Sequence, residues 1–117
     1  MTKVKRTERG WGGHYIGATK CFFRLNTLLE YKEKKIVIST VGMYMPHGKP
    51  EIIGWRRFYE TMAFAGKQEN EYIEADVSKR IEFENQWEIE EPYKDNEANS
   101  MHENVVQELI TKIKQND

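Results

Sequence analysis

The chain contains one cysteine, Cys21, so no intramolecular disulfide can brace it, and such usage suits a reducing compartment. Proline is scarce, at three residues in 117. No apolar run approaches the roughly twenty residues that a membrane-spanning helix requires, so no bilayer contact is expected. Basic residues at 3–9 are followed by no apolar stretch, which argues against a secretory signal. The three histidines, His14, His47 and His102, share no ligand spacing with Cys21, so neither a metal site nor a cofactor is expected. Gly10, Gly12 and Gly13 are not followed by the Gly-Lys-Ser/Thr of a phosphate-binding loop, and no serine sits in a nucleophile elbow. These absences predict a cytoplasmic protein without a recognisable catalytic signature.

What is present fits one small folded domain, residues 1–117. Aromatics make up 12% of the chain, which argues against disorder, while 32% is charged and only 38% hydrophobic. A core this thin favours self-association into a dimer or larger homo-oligomer. Net charge is −1, yet residues 1–60 hold 12 Lys/Arg against 5 Asp/Glu, a balance of +7, and residues 61–117 hold 6 against 14, a balance of −8. Two readings stand: an anion site built from the first half, or complementary charge that packs halves or subunits together. Long nucleic acid fits neither, because the acidic half would repel a polyanion.

Local patterns predict an α+β fold, a small antiparallel sheet with a C-terminal helix packed on it. Tyr15-Ile16 and Cys21–Phe23 read as strand pieces bent at Gly17. Residues 27–31 and 35–41 form a hairpin across Lys32-Glu33-Lys34, and the near-continuous apolar run Ile36–Val41 predicts a strand covered on both faces. Pro46–Pro50 reads as a loop and Phe58–Phe64 as a strand. Residues 66–79 read as an acidic loop opened by Gly66, with a short strand at Tyr72-Ile73, and Arg80–Glu84 alternates like a half-buried strand. Ser100 and Glu103 have capping-box spacing ahead of the apolar stripe Met101, Val105, Leu109 and Ile113, which predicts a helix starting there.

Cys21 lies in an apolar run and reads as a small buried hydrophobe rather than a nucleophile. Glu60 reads as the cross-strand partner of an arginine, with general acid–base work as the other reading. The stronger signal is for anion and base recognition. Arg6, Arg9 and Trp11 cluster at the glycine turn; Arg24, Asn26 and Thr27 open the hairpin; and Trp55-Arg56-Arg57-Phe58-Tyr59 sets two guanidinium groups among aromatic rings. Guanidinium forks suit phosphate oxygens, flat rings suit nucleobases, and Asn and Thr suit base or ribose edges. The plainer readings are that Trp11 plugs the sheet, that Trp87 and Phe83 belong to the core, and that arginine–aromatic alternation merely covers a strand face. A compact nucleotide is the better-matched guest.

Several strings together resemble the phage-encoded Thoeris anti-defence proteins of the first type: Glu8-Arg9-Gly10-Trp11-Gly12-Gly13-His14, Arg24–Leu29, Ser39-Thr40-Val41-Gly42, Phe58–Phe64 and Ala75-Asp76-Val77-Ser78. The likeness runs in order from about residue 8 to the helix near 110, with a Pro46–Pro50 loop that is compact for the family. The resemblance implies an antiparallel sheet with C-terminal helices, assembled into oligomers in the host bacterial cytoplasm. It implies a non-enzymatic sponge that sequesters a cyclic ADP-ribose isomer made by a TIR enzyme, with a second site for cyclic oligonucleotides in some members. The motif residues with suitable ligand chemistry are Trp11, Arg24, Asn26, Arg57, Tyr59 and Phe64. A small phosphodiesterase of cyclic nucleotides, using His14 and Glu60, is the alternative, and a protein-binding module working through the acidic half is a third.

Overall fold

The structure, a computed structural model, describes residues 3–9 and 19–115. The glycine turn of residues 10–13, Trp11, His14 and the bend at Gly17 lie outside the described residues. Six strands, β1 (Lys5–Glu8), β2 (Cys21–Tyr31), β3 (Lys34–Tyr44), β4 (Tyr59–Glu69), β5 (Tyr72–Ile81) and β6 (Glu88–Ile89), precede one helix, α1 (Asp95–Ile113). All pairings are antiparallel, in the order β1-β2-β3-β4-β5, with β6 against the start of β4. The α+β expectation therefore holds, with one helix among the described residues rather than several. No helix of the described residues is long and apolar enough to cross a membrane.

The apolar run at 36–41 becomes the central strand, buried at every position from Ile36 to Met43. Its two faces do different work. Ile36 and Ile38 join Leu29, Tyr31 and Ala63 beneath Val105, Val106, Leu109 and Ile113 of the helix. Further along, Phe23, Tyr59 and Ile89 receive Ala98 and Met101. The helical stripe read from the sequence is thus the packed face, with period 3.6 laid on the period-2 face of a sheet.

Three expectations need correction. First, α1 begins at Asp95, so Ser100 lies inside the helix, and the cap position Lys94 makes no side-chain cap. A distant residue caps it instead. The Tyr59 hydroxyl accepts the Lys94 backbone N–H at 2.8 Å and donates to the Asp95 carboxylate at 2.5 Å. Burial pushes the Tyr59 phenol up, and the Asp95 bond pushes it further. Tyr59→Phe should therefore cost about 1–2 kcal/mol in thermal melts, because a helix donor and a carboxylate lose their partner while the ring packing stays.

Second, residues 66–79 are mainly strand: β4 runs on to Glu69, Asn70-Glu71 turns, and β5 starts at Tyr72. β5 is an exposed, polar strand at the far end of the order, which is why its composition resembled a loop. A side chain on Gly66 would approach Ile73 Cγ2 to 2.9 Å and Lys35 Cβ to 3.0 Å, so this glycine serves close strand approach rather than a turn. Third, β5 stops at Ile81, and residues 82–84 are not strand. The register jumps between Phe64↔Arg80 and Ala65↔Asp76, leaving residues 77–79 bulged.

The helix is tied to the sheet by a buried polar chain. His102 Nδ1 lies 2.6 Å from Thr40 Oγ1 and its Nε2 lies 2.8 Å from Thr27 Oγ1. Thr40 and Thr61 hydroxyls are 2.6 Å apart, and Thr27 donates to the Glu8 carboxylate at 2.7 Å. Because Thr27 spends its one proton on Glu8, it must accept from His102, so Nε2 carries the proton and Nδ1 accepts from Thr40. Thr61 then donates to Thr40. The five groups form a chain running one way, from β4 through β3, α1 and β2 to β1. Arg6 reinforces the β1 end with two bonds to Glu103, at 2.9 and 2.7 Å, and a further bond to Glu8.

Candidate functional site

The face of the sheet turned away from α1 carries most of the predicted site residues. Pleating and register place them in three rows across β2, β3 and β4: Arg24, Val41, Glu60; Asn26, Ser39, Met62; and Leu28, Val37, Phe64. Their neighbours in sequence, Phe23, Thr27, Thr40, Tyr59, Thr61 and Ala63, point into the helix side. Arg24, Asn26 and Phe64 therefore share this face, Arg24 and Asn26 side by side on β2 and Phe64 two strands across and two rows further along from Arg24. Tyr59 is not: it is fully buried beneath the helix, edge-on to Phe23 at 5.4 Å, and its hydroxyl is spent on the helix start. Its place among the ligand-contacting residues is withdrawn.

Arg57 joins the face from the turn before β4. Its Nε donates to Glu60 at 3.2 Å, its Nη1 lies 3.8 Å from Glu88 of β6, and its guanidinium lies 5.1 Å from the Trp87 ring centre. Gly54 makes room for it, because a Cβ there would come within 2.6 Å of the guanidinium carbon. Two carboxylates, a ring and a tight turn make Arg57 a fixed part of the framework. Glu60 is only 4% exposed and holds an arginine as expected, although this is Arg57 from the preceding turn and not a cross-strand residue, since Val41 and Glu88 stand across from Glu60. Arg57→Ala should cost about 2 kcal/mol or more in denaturant titration, because Glu60 keeps its burial and loses that cation.

Arg24 is different. It is exposed, and it forms no ion pair among the described residues. In its row it stands across Val41 from Glu60. Asn26 is buried, and its Oδ1 accepts Arg9 Nε at 2.8 Å. Arg9 also donates to the Ile73 carbonyl and lies 4.7 Å from the Tyr72 ring centre. Arg9 therefore bridges β2 to β5 at this face, whereas Arg6 is committed to Glu8 and Glu103 on the other side. Arg80 stands opposite Phe64 in register.

Sequence reasoning missed Ser39, Glu88 and Arg80 as members of this face. The alternation was legible in β3, but the partners opposite each residue depend on register, which pattern alone does not fix. Trp55 and Arg56 point out to solvent, the guanidinium 5.3 Å from the ring centre, at the turn before β4. Cys21 is buried beside Val41 and Ile53, and burial pushes its thiol up to about 11, so it stays protonated and unreactive near neutrality. Among the described residues, no three His, Cys, Asp or Glu side chains gather as metal ligands would.

The chain is thus an all-antiparallel α+β protein with a helix on one face of its sheet and a mixed-charge polar cluster on the other. No protein-family model, curated protein or solved structure matches it.

Proposed function

We propose that this chain binds and sequesters a cyclic ADP-ribose isomer without turning it over, as a phage protein acting against a TIR-generated immune signal. The observation that carries the reading is the mixed polarity of the helix-free face. Arg24, lacking a counter-ion among the described residues, shares this face with the Glu60 carboxylate and the Asn26 amide. A site for phosphate alone would gain nothing from Glu60 and Glu88, which repel it. A guest with phosphates and also hydroxyl or amine donors needs both kinds of group. The sequence resemblance set out above points to the same ligand class.

Sequestration requires affinity rather than chemistry. Holding a signal at nanomolar levels takes about −12 kcal/mol. Phosphate on the Arg24 fork, a stacked base, and burial between subunits of a homo-oligomer contribute to that sum, and a cyclic ligand loses little freedom on binding. Glu60, tied to Arg57, is poorly placed to act as a general base, which disfavours the phosphodiesterase reading.

The test is recovery of ligand. The protein is incubated with cyclic ADP-ribose and with isomers linked through their riboses, denatured by heat, and the supernatant is chromatographed. Intact ligand in stoichiometric amount is the expected result. A linear product would make the chain a hydrolase, and no bound nucleotide would leave a protein-binding module. Arg24→Ala should weaken binding about tenfold or more in calorimetry while leaving the melting temperature of the free protein within about 1 °C, since an exposed arginine without an ion pair contributes little to the fold.

A further inference from the structure

We infer that Ser39 is a ligand-reading residue: its hydroxyl, with the Asn26 amide and the Glu60 carboxylate, recognises sugar hydroxyls of the guest, leaving phosphate to Arg24. The inference rests on the nucleotide-binding reading above and assigns a residue and a ligand moiety that the reading does not. Ser39 is 1% exposed, yet its Oγ has no hydrogen-bond partner among the described residues. The contrast lies one residue away, where Thr40 on the opposite face is bonded to both Thr61 and His102. Thr27 and Thr61 are likewise paired. A buried hydroxyl left unmatched is a standing cost that a native chain retains only for a reason. The positions two residues either side on the same face of β3 are Val37 and Val41, both fully buried. An apolar side chain at 39 would suit the strand better.

The neighbours define what the hydroxyl would read. Asn26 lies directly across in register, with its oxygen taken by Arg9 and its amide hydrogens left to donate. Glu60 lies diagonally across on β4 and can only accept. Ser39 can do either. A donor, an acceptor and a group that is both match the hydroxyls of a ribose, whereas phosphate oxygens would meet Glu60 with like charge. Access runs past Met62, the cross-strand partner of Ser39, which is half-buried. Its unbranched thioether chain can change rotamer without disturbing the backbone.

Ser39→Ala separates this role from a structural one, because the two move different readouts. Without ligand, the variant should melt about 2–5 °C higher than the parent, since an unmatched buried hydroxyl has been removed. With cyclic ADP-ribose or its ribose-linked isomers, its Kd should rise at least tenfold. A lower melting temperature, or failure to fold, would show that the hydroxyl has a structural partner and would overturn the inference. Unchanged Kd in Ser39→Ala, with the parent binding normally, would overturn it while leaving the proposed function standing. Absence of binding by the parent protein would end both.

Discussion

Acidification from pH 6.5 to 5 should remove about 2 kcal/mol of folding stability, and continuing to pH 4 should bring the loss to about 3 kcal/mol. The cause is His102. Burial holds its folded pKa down at about 4 from an ordinary 6.5, with the nearby charges of Glu8, Arg6 and Glu103 as smaller influences. Between those two values the unfolded chain carries a proton there and the folded chain does not. Stability is therefore complete above about 6.5 and declines as pH falls through the interval. Protonation would also force both ring nitrogens to donate, which reverses the Thr40 and Thr61 hydroxyls. Carboxylates act later. The Arg6 bonds hold Glu103 at about 2, so its contribution fades only below the ordinary 4.5. Burial works to raise Glu108, but bonds from Lys112 and the backbone N–H groups of Glu84 and Asn85 outweigh it and keep that carboxyl at about 2. Urea titrations at half-unit pH steps check the claim, with His102→Gln as the comparison. The variant should show a much flatter profile between 6.5 and 5, whatever its absolute stability. A parent profile that is flat there would overturn the account. Nitrogen-15 NMR of the ring should show the proton on Nε2.

Gly42→Ala should be the most damaging single-methyl change in the sheet, at about 3 kcal/mol or more, and should leave little folded protein at physiological temperature. Gly42 pairs with Phe23 on one side and Tyr59 on the other. A Cβ at this position would sit 2.2 Å from the Tyr59 ring and within 2.8 Å of two further ring atoms. The ring cannot step aside. Its hydroxyl is held by Lys94 and Asp95, and Phe23 meets it edge-on. Any accommodation moves the helix start. Circular dichroism melts of Gly42→Ala beside Tyr59→Phe test this. If the tyrosine variant loses only its hydroxyl contribution and the glycine variant loses most of the fold, the steric account stands. Equal, small losses in both would refute it.

The sequence disclosed features carried by local periodicity. The central strand appeared as an unbroken apolar run and the packed stripe of α1 as a four-residue recurrence; an arginine partner for Glu60 was expected across the strands, but it comes from Arg57 three residues earlier. It hid whatever depends on distant partners. A capping box at Ser100 satisfied every local criterion and was still overridden, because a tyrosine 35 residues upstream offered a better acceptor. Of β5 only the two ends were legible, at Tyr72-Ile73 and Arg80-Ile81, because the middle of a largely exposed strand at the end of the sheet needs few apolar residues. Of the candidate site, the arginines and Asn26 were visible by chemistry. Tyr59 was misplaced because strand parity, not residue type, decides which face a side chain joins. Ser39 was invisible because an unmatched hydroxyl shows itself only once its neighbours are counted.

The one-way threonine–histidine chain also sets an order of assembly during translation. Strands β2 to β5 each pair with the strand synthesised just before, so the meander can close as it leaves the ribosome. Thr27 and Thr40, however, wait for a histidine made 75 and 62 residues later, and Arg6 waits for an acidic partner 97 residues away. Until the helix emerges, one side of the nascent sheet presents greasy surface and unmet hydroxyls together. That interval is when the young chain is most open to chaperone capture or to clumping with its siblings.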